Sequence, residues 1–460
     1  MVCTPGLVLI RTAAILFFCI PVCLFAQQPV FSPVPQDSLK LAGLFIGYEQ
    51  QYKSEIHSLP SLYKKDLEEV YKLRWEYIRE KFDEKEIYTD TVSQNYLNQL
   101  VAEIRKGNPD LPAGFTCYFS RTPVPNAEYL GHGIIIFNMG LFTRLNNEGE
   151  VVYILCHEIS HYLLLHSEHR MQQYVANLNS KETQEALRSI KKSEYQKGQQ
   201  FESLSKGLTF DSRRHSRDHE SQADSQAVEL MRHTVYKVSN AMSALALLDT
   251  IDNDPLNMSV YLPDVFNSPE FPFKKRWLSY DRGLLGGHAV LKKEAMADSL
   301  KTHPDCQKRI ALLTALTKSW SQPTARNFLA DSVQFLSLQN RFRYETIEYC
   351  YQLKNYTRSL FLTLELLATH SDDPWLVTEA GMAFNGMYNA QKKHALSKVT
   401  DLPAPYFPEN YNLVLQFIQN LYLDELISVN YYFLKKHHPQ MDFYNPYLTT
   451  FENSQQLFKN

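Results

Sequence analysis

Between Val151 and Arg170 the chain reads VVYILCHEISHYLLLHSEHR, and no other stretch limits its fold as tightly. Apolar residues flank His157-Glu158-Ile159-Ser160-His161 on both sides, without Gly or Pro, so the pattern predicts one buried helix. Residues four apart share a helix face, with Cβ atoms about 5–6 Å apart. His157 and His161 can therefore turn ring nitrogens toward one metal ion. Glu158 sits about 100° round the helix, to the side of that ion, where an attacking water lies. Two His and a Glu on an apolar helix are costly to bury unless paired or bound to metal. That cost weighs against coincidence, the competing reading of so short a pattern. The arrangement predicts a hydrolytic metal centre with two histidine ligands and a carboxylate base.

Such a centre takes a third protein ligand and leaves a fourth position for water. Two known continuations of HExxH fail here. The adamalysin-like one wants Gly three and His six residues after the second His, where this chain has Leu164 and Ser167. The thermolysin-like one wants a Glu further along with an Asp four residues after it. Glu182 and Glu185 lie near the required distance, but Ala186 and Ser189 stand where that Asp belongs. Glu220 is the better candidate, 59 residues beyond His161 in Ser216-Arg217-Asp218-His219-Glu220-Ser221-Gln222-Ala223-Asp224. On a helix Glu220 and Asp224 share a face. Glu220 can then bind metal while Asp224 accepts the N–H of a ligating histidine, a bond that fixes the tautomer. Ala223, Ala227, Val228 and Leu230 predict that this helix packs inward rather than standing as a solvated acidic face. His215 and His219 are rival ligands.

Around this core the chain divides readily. Leu62–Asp83 and Asn95–Arg105 carry the stripe of amphipathic helices, the second stopping at Gly107-Asn108-Pro109. Phe115–Ser120 and Tyr129–Phe137 read as two strands. A sheet edge beside a metal site can take an extended peptide as a further strand. Asn147-Glu148 opens the HExxH helix. Ser167–Gly207 reads as an exposed helical excursion, Ser216–Leu247 as helix, and Asn253–Lys301, with its prolines and glycines, as an irregular loop of functional size. A helix from near Asp305 through Leu316 closes the unit, and Ser321-Gln322-Pro323 marks the boundary.

Beyond it Tyr344–His370, Trp375–Leu396, Tyr411–Asn420 and Leu423–Lys436 read as aromatic-rich helices. Faint echoes, Asn355-Tyr356 at Met387-Tyr388 and His370…Pro374 at His437…Pro439, point to stacked hairpins near the 34-residue tetratricopeptide length. The expected fold is thus α+β and mostly helical. A metallopeptidase-like domain over residues 59–320, with a small sheet edging the active-site helix, precedes an all-α, tetratricopeptide-like helical-repeat domain over 324–460.

The N-terminus predicts a secretory signal peptide over residues 1–26, with Arg11, the apolar run Thr12–Phe25 and cleavage after Ala26. Residues 27–58 read as a lead-in, flexible over the proline-bearing Gln27–Gln36. Past residue 30 there is no run of about 18 apolar residues. The mature chain is therefore expected to be soluble and periplasmic or otherwise extracytoplasmic. Cys117, Cys156, Cys306 and Cys350, the four cysteines beyond the signal, do not make a disulfide scaffold in a chain of 460 residues. A net charge of −3 leaves no footprint for nucleic acid.

Taken in order, several motifs resemble the HtpX and CaaX-prenyl-protease-like zinc metallopeptidases of the gluzincin type. They are Asn126-Ala127 before a Gly-rich strand, Gly140-Leu141, Asn147-Glu148, HEISH with His166 five residues on, SRDHESQAD, and His303-Pro304 with Arg309-Ile310. The resemblance spans about Leu62–Leu316. With a signal peptide and a tetratricopeptide-like tail, the chain is most similar to periplasmic BepA-like members. The resemblance implies one Zn2+ per chain on His157, His161 and Glu220, with Glu158 as base, Asp224 behind a ligand and His303 near the substrate or the zinc. Ser160, Glu128 and Gln222 depart from the family pattern. None is a ligand, and the Glu128 change bears on substrate fit.

The leading expectation is a zinc-dependent endopeptidase acting on unfolded or misassembled envelope proteins. In it His303 either donates to the oxyanion or gates the open zinc position. The alternative is a chaperone or assembly factor whose helical tail binds an envelope partner while the protease stays latent.

Overall fold

The computed structural model describes residues 30–192, 217–251, 256–279, 306–404 and 406–459. The expected signal peptide, His215 and His303 lie outside the described residues. Phe31–Asn460 form one compact unit, mostly helical with a small three-stranded sheet. The helices in chain order begin with α1 (Ser38–Ser58), α2 (Lys64–Asp83) and α3 (Thr91–Gly107). The strands follow as β1 (Thr116–Ser120), β2 (Ala127–Gly131) and β3 (Ile134–Asn138). The short α4 (Met139–Phe142) leads to α5 (Glu148–Leu163), which carries HExxH, then α6 (His166–Leu178) and α7 (Lys181–Lys192). Residues 217–232 form α8. After it come α9 (Ser239–Thr250), α10 (Met258–Phe266) and α11 (Cys306–Thr317).

The sheet runs β1-β3-β2, with β1 parallel and β2 antiparallel to the central β3, so β2 is an edge. Its two faces are buried by different helices. Alternation places Cys117, Phe119, Ile135 and Phe137 in the core shared with α3 and α5. Tyr118, Ile134 and Ile136 point the other way, onto Leu41, Tyr48, Trp75 and Phe82 of α1 and α2. Side chains two apart in a strand share a face, and both faces here are apolar, as a sheet covered on both sides requires.

Several expectations change. The helix expected over Ser216–Leu247 is two, α8 and α9, parted at residues 233–238. The strand read over Tyr129–Phe137 is a hairpin, β2 and β3, joined through Gly131-His132-Gly133. All three turn residues have positive φ, 103°, 52° and 72° respectively. A Cβ on Gly133 would fall 2.0 Å from the carbonyl oxygen of Gly114, so a side chain has no room there. The single helix expected over Val151–Arg170 ends at Leu163. Leu165 adopts the left-handed conformation (φ 52°) and α6 restarts at His166. That turn brings the His166 ring back beside His161 (Nδ1 to Nδ1 2.9 Å), which is what the break achieves. In addition, Ser38–Ser58, within the lead-in of the sequence reading, is a helix capped by Asp37, whose side chain accepts from the Lys40 N–H at 2.9 Å.

The remaining helices are α12 (Val333–Gln352), α13 (Tyr356–Leu367), α14 (Pro374–Lys392), α15 (Glu409–Gln419), α16 (Leu423–Met441) and α17 (Asn445–Lys459). Asn355 caps α13, and Asp373 caps α14 with Pro374 in the first turn, where a missing N–H costs nothing. The sequence echoes do not mark equivalent positions. Asn355 is a cap while Met387 lies inside α14, and Pro374 opens a helix while Pro439 sits within α16. Met258, Leu262, Phe266 and Trp277 pack into the core of these C-terminal helices rather than into that of the sheet. Just past Pro323, the Gly149 N–H donates to the Asn327 carbonyl (3.0 Å) and the Leu329 N–H to Glu148 (2.6 Å). The chain is thereby strapped to the start of α5. All four described cysteines are buried free thiols. Among the described residues no helix is long and apolar enough to cross a membrane.

Candidate metal centre

Helix α5 starts where Asn147 caps it, its side chain accepting from the Glu150 N–H at 3.1 Å. Glu148 in the first turn accepts from the hydroxyls of Tyr96 (3.1 Å) and Tyr236 (3.2 Å). Every residue from Glu148 to His161 is buried, so the helix is held rigidly on all sides and presents its histidines at a fixed place. His157 and His161 face each other with Nε2 atoms 3.0 Å apart. From α8, Glu220 reaches both rings, 3.4 Å to His157 Nε2 and 3.5 Å to His161 Nε2.

Among the described residues, these three form the one group of His, Cys, Asp and Glu whose ligand atoms lie within 4.8 Å of one another. Two imidazole nitrogens converging on a carboxylate are the donor set that suits a zinc-type cation. The charges fit as well. Glu220 and Asp224 stand against the guanidinium of Arg309 and the proton on His157, and a cation bound to the His157 lone pair takes the place of that proton.

Each donor is backed by a second group. Asp224, wholly buried, lies 2.9 Å from His157 Nδ1. It also accepts from Arg309 Nε (2.6 Å) and Nη2 (2.7 Å) and from the Tyr153 hydroxyl (2.7 Å). Arg309 Nη1 further reaches Glu220 at 3.4 Å. His161 is backed instead by His166, whose Nε2 lies 3.2 Å from the Gln222 side-chain oxygen and whose ring stacks on His219.

The electrostatics follow these contacts. Burial disfavours a charged His157, but hydrogen bonds to Asp224 and Glu220 outweigh it and raise the ring's pKa to about 10. Burial and the neighbouring His157 charge drive His161 down to about 2. Burial alone would raise Glu220 and Asp224, yet His157 and Arg309 hold both well below the usual carboxylate range. Glu158 takes no part in this pairing. Burial, opposed by His157, pushes it up to about 7, and it accepts the backbone N–H of Tyr129 in β2 at 2.8 Å. A carboxyl poised near neutrality is suited to moving protons.

This geometry brings together His157, Glu158, His161, Glu220 and Asp224. Glu182 and Glu185 stay on α7, away from the group, with Glu185 paired to Lys181 (4.0 Å). His219 packs against His166 rather than joining the ligand set. Residues 92–317 match peptidase family M48.

The match indicates a metalloprotease, in a family that is zinc-dependent in general, and it supports the HtpX and CaaX-prenyl-protease-like resemblance. No curated protein matches the chain. In the sequence, His166 and Arg309 stand out only as motif matches, with no task attached. Their spacing from HExxH is the available signal, but what they touch is set by α6 folding back onto α5 and by α11 bringing Arg309 to α8.

Proposed function

We propose that the protein is a zinc-dependent endopeptidase that hydrolyses peptide bonds in unfolded or misassembled proteins of the cell envelope. The observation that carries this reading is the convergence of the His157 and His161 Nε2 atoms on the Glu220 carboxylate beside a buried, near-neutral Glu158. His157, His161 and Glu220 hold the ion. When bound, the ion polarises the scissile carbonyl and acidifies the attacking water. Glu158 takes the proton of that water and delivers it to the leaving amine. Asp224 keeps His157 in the tautomer that offers Nε2. The edge strand β2, one residue of which already bonds Glu158, is where an extended substrate pairs.

An extracytoplasmic address, a signal peptide ending near Ala26 and the tetratricopeptide-like use of α12–α17 for a client or an assembly partner belong to the same proposal. The close antiparallel pairing of α12 with α13, α13 with α14 and α16 with α17 supports the last of these, while α15 packs on α13 rather than on its chain neighbours.

The test compares the mature chain with Glu158→Gln for zinc content and cleavage of unfolded casein. Glu158→Gln keeps its zinc and loses turnover by about 10²–10⁴-fold, the usual contribution of such a group. Near-normal cleavage by this variant removes Glu158 from the mechanism, and a wild type without zinc or cleavage removes the reading. His303→Ala in the same assay separates its two proposed roles. Loss of an oxyanion donor lowers turnover by about 10²–10³-fold, whereas loss of a gate raises it. An unchanged rate retires both.

A further inference from the structure

Helices α1 and α2 precede the residues that match the family, yet they grip the strand that bonds Glu158. Arg74 of α2 is the centre of one grip. Its guanidinium pairs with Glu55 of α1 and, at 3.3 Å, with Glu168 of α6. The same Glu168 oxygen accepts the Tyr129 hydroxyl at 3.2 Å. Tyr129 is thus held at both ends, its hydroxyl on Glu168 and its backbone N–H on Glu158. The guanidinium also lies against the backbone where β2 ends, since a Cβ on Gly131 would fall 2.8 Å from Arg74 Nη1.

The second grip is Glu128. Its carboxylate is 3.2 Å from Lys81 and accepts from the Tyr77 hydroxyl at 3.0 Å, both groups of α2. Glu128 is the residue whose departure from the family pattern bears on substrate fit in the sequence reading. The structure gives that carboxylate another engagement, as a tether to a helix outside the family match.

These grips act where the sheet is weakest. β2 is a five-residue edge strand bonded to β3 alone, and its register shifts between Tyr129 and Gly131. A bulge disrupts the ladder locally, so the ladder by itself leaves the Tyr129 N–H loosely placed. Positioning a base within a fraction of an ångström matters for rate even when the cause lies away from the chemistry.

We propose that the α1–α2 hairpin is a working part of the catalytic unit, with Arg74 a positioning residue that acts through Glu168 and Tyr129 to hold the edge strand against Glu158. This inference rests on the metallopeptidase reading above for its consequence in turnover, though not for its geometry.

The experiment uses the full mature chain with Tyr129→Phe, which keeps the packed ring and loses only the hydroxyl, Arg74→Lys, which keeps the charge and loses the fork, and the double variant. Casein cleavage gives kcat and KM, and hydrogen exchange of the Tyr129 amide gives strand order without reference to turnover. Each single variant is expected to lower kcat about 10-fold, with KM and zinc content unchanged. The double variant falls no further, because both changes cut one chain of contacts, and the Tyr129 amide exchanges faster in all three. Wild-type kcat in both single variants, or losses that multiply in the double variant, overturns the proposal, as does unchanged exchange. A wild type that cleaves nothing while the variants still speed exchange defeats the endopeptidase reading and leaves the mooring intact.

Discussion

Asp224 in the candidate metal centre and Glu379 in the C-terminal helices are both buried almost completely, at 0% and 1% exposure, but their surroundings move the two carboxyls in opposite directions. Removing a carboxylate from water favours its neutral form, and fixed cations and donors restore the charge. Asp224 has three donors from Arg309 and Tyr153, and His157 beside it. Glu379 has the Ser359 hydroxyl at 3.2 Å, and the charge of Glu348 nearby adds to the effect of burial. Its pKa therefore stands well above the ordinary value. The centre is built to keep charge in place before any substrate arrives, as electrostatic preorganisation requires. The helical array offers its acid little to offset burial, which favours the protonated form. Polar burial alone is thus a poor guide to function. What the buried group is bonded to decides.

The strongest way to break this contrast is to remove charge from the centre at a ligand. Glu220→Ala takes away one of three donors and leaves Arg309 and His157 short of a carboxylate. Metal affinity, measured by competition with a chelator, should fall by well over about 100-fold, more than loss of an outer partner costs. Glu182→Ala and Glu185→Ala, on the exposed α7, should leave it unchanged. If Glu182→Ala strips the ion and Glu220→Ala does not, the assignment of the centre is wrong.

A finer contrast lies within the centre. His157 is backed by an ionised carboxylate and His161 by another imidazole. A charged acceptor polarises the ring behind it more than a neutral one does. Asp224→Asn should therefore weaken metal binding by up to about 100-fold, and His166→Asn by about 10-fold. Equal losses, or a larger one at His166, would show that the two histidines are not ranked by the charge behind them.

Much of this centre could be read before any coordinates, for a physical reason. HExxH places its groups by the geometry of one helix, and Glu220 and Asp224 by the geometry of another. Apolar neighbours such as Val228 and Leu230 reported that the second helix faces inward. The helix before the sheet, the cap at Asn147 and β1 were legible for the same local reasons. What escaped was non-local or conformational. Gly131 and Gly133 do signal a turn, but the apolar residues on either side read as one strand, and Leu165 takes a left-handed conformation that no Gly announces. The links of Arg74 to Glu168, Lys81 to Glu128 and Arg309 to Asp224 join residues 94, 47 and 85 positions apart, so no periodicity encodes them. Of the C-terminal helices, those over Trp375–Leu396, Tyr411–Asn420 and Leu423–Lys436 were legible, whereas Tyr344–His370 spans two helices parted at Asn355, Asn445–Lys459 went unread, and the repeat echoes compared caps with helix interiors.

The smallest expected effect tests the other side of the comparison. If Glu379 is neutral in the fold, Glu379→Gln replaces it with a group of the same shape that can still bond Ser359. The sign comes from proton binding. A carboxyl with a raised folded pKa binds more protons folded than unfolded once pH exceeds its unfolded value, 4.5. Its contribution to stability is then whole below that value and is lost progressively as pH climbs toward the folded one. The glutamine carries no such dependence. Wild type and Glu379→Gln should unfold at similar temperatures near about pH 4.5, and the variant should gain by about 1–3 °C toward about pH 8. A difference that stays constant with pH, or that favours wild type as pH rises, would mean that the array keeps Glu379 ionised. It would then hold its buried acid as the metal centre does, and the distinction between the two regions would have to rest on the ligand geometry at His157, His161 and Glu220 instead.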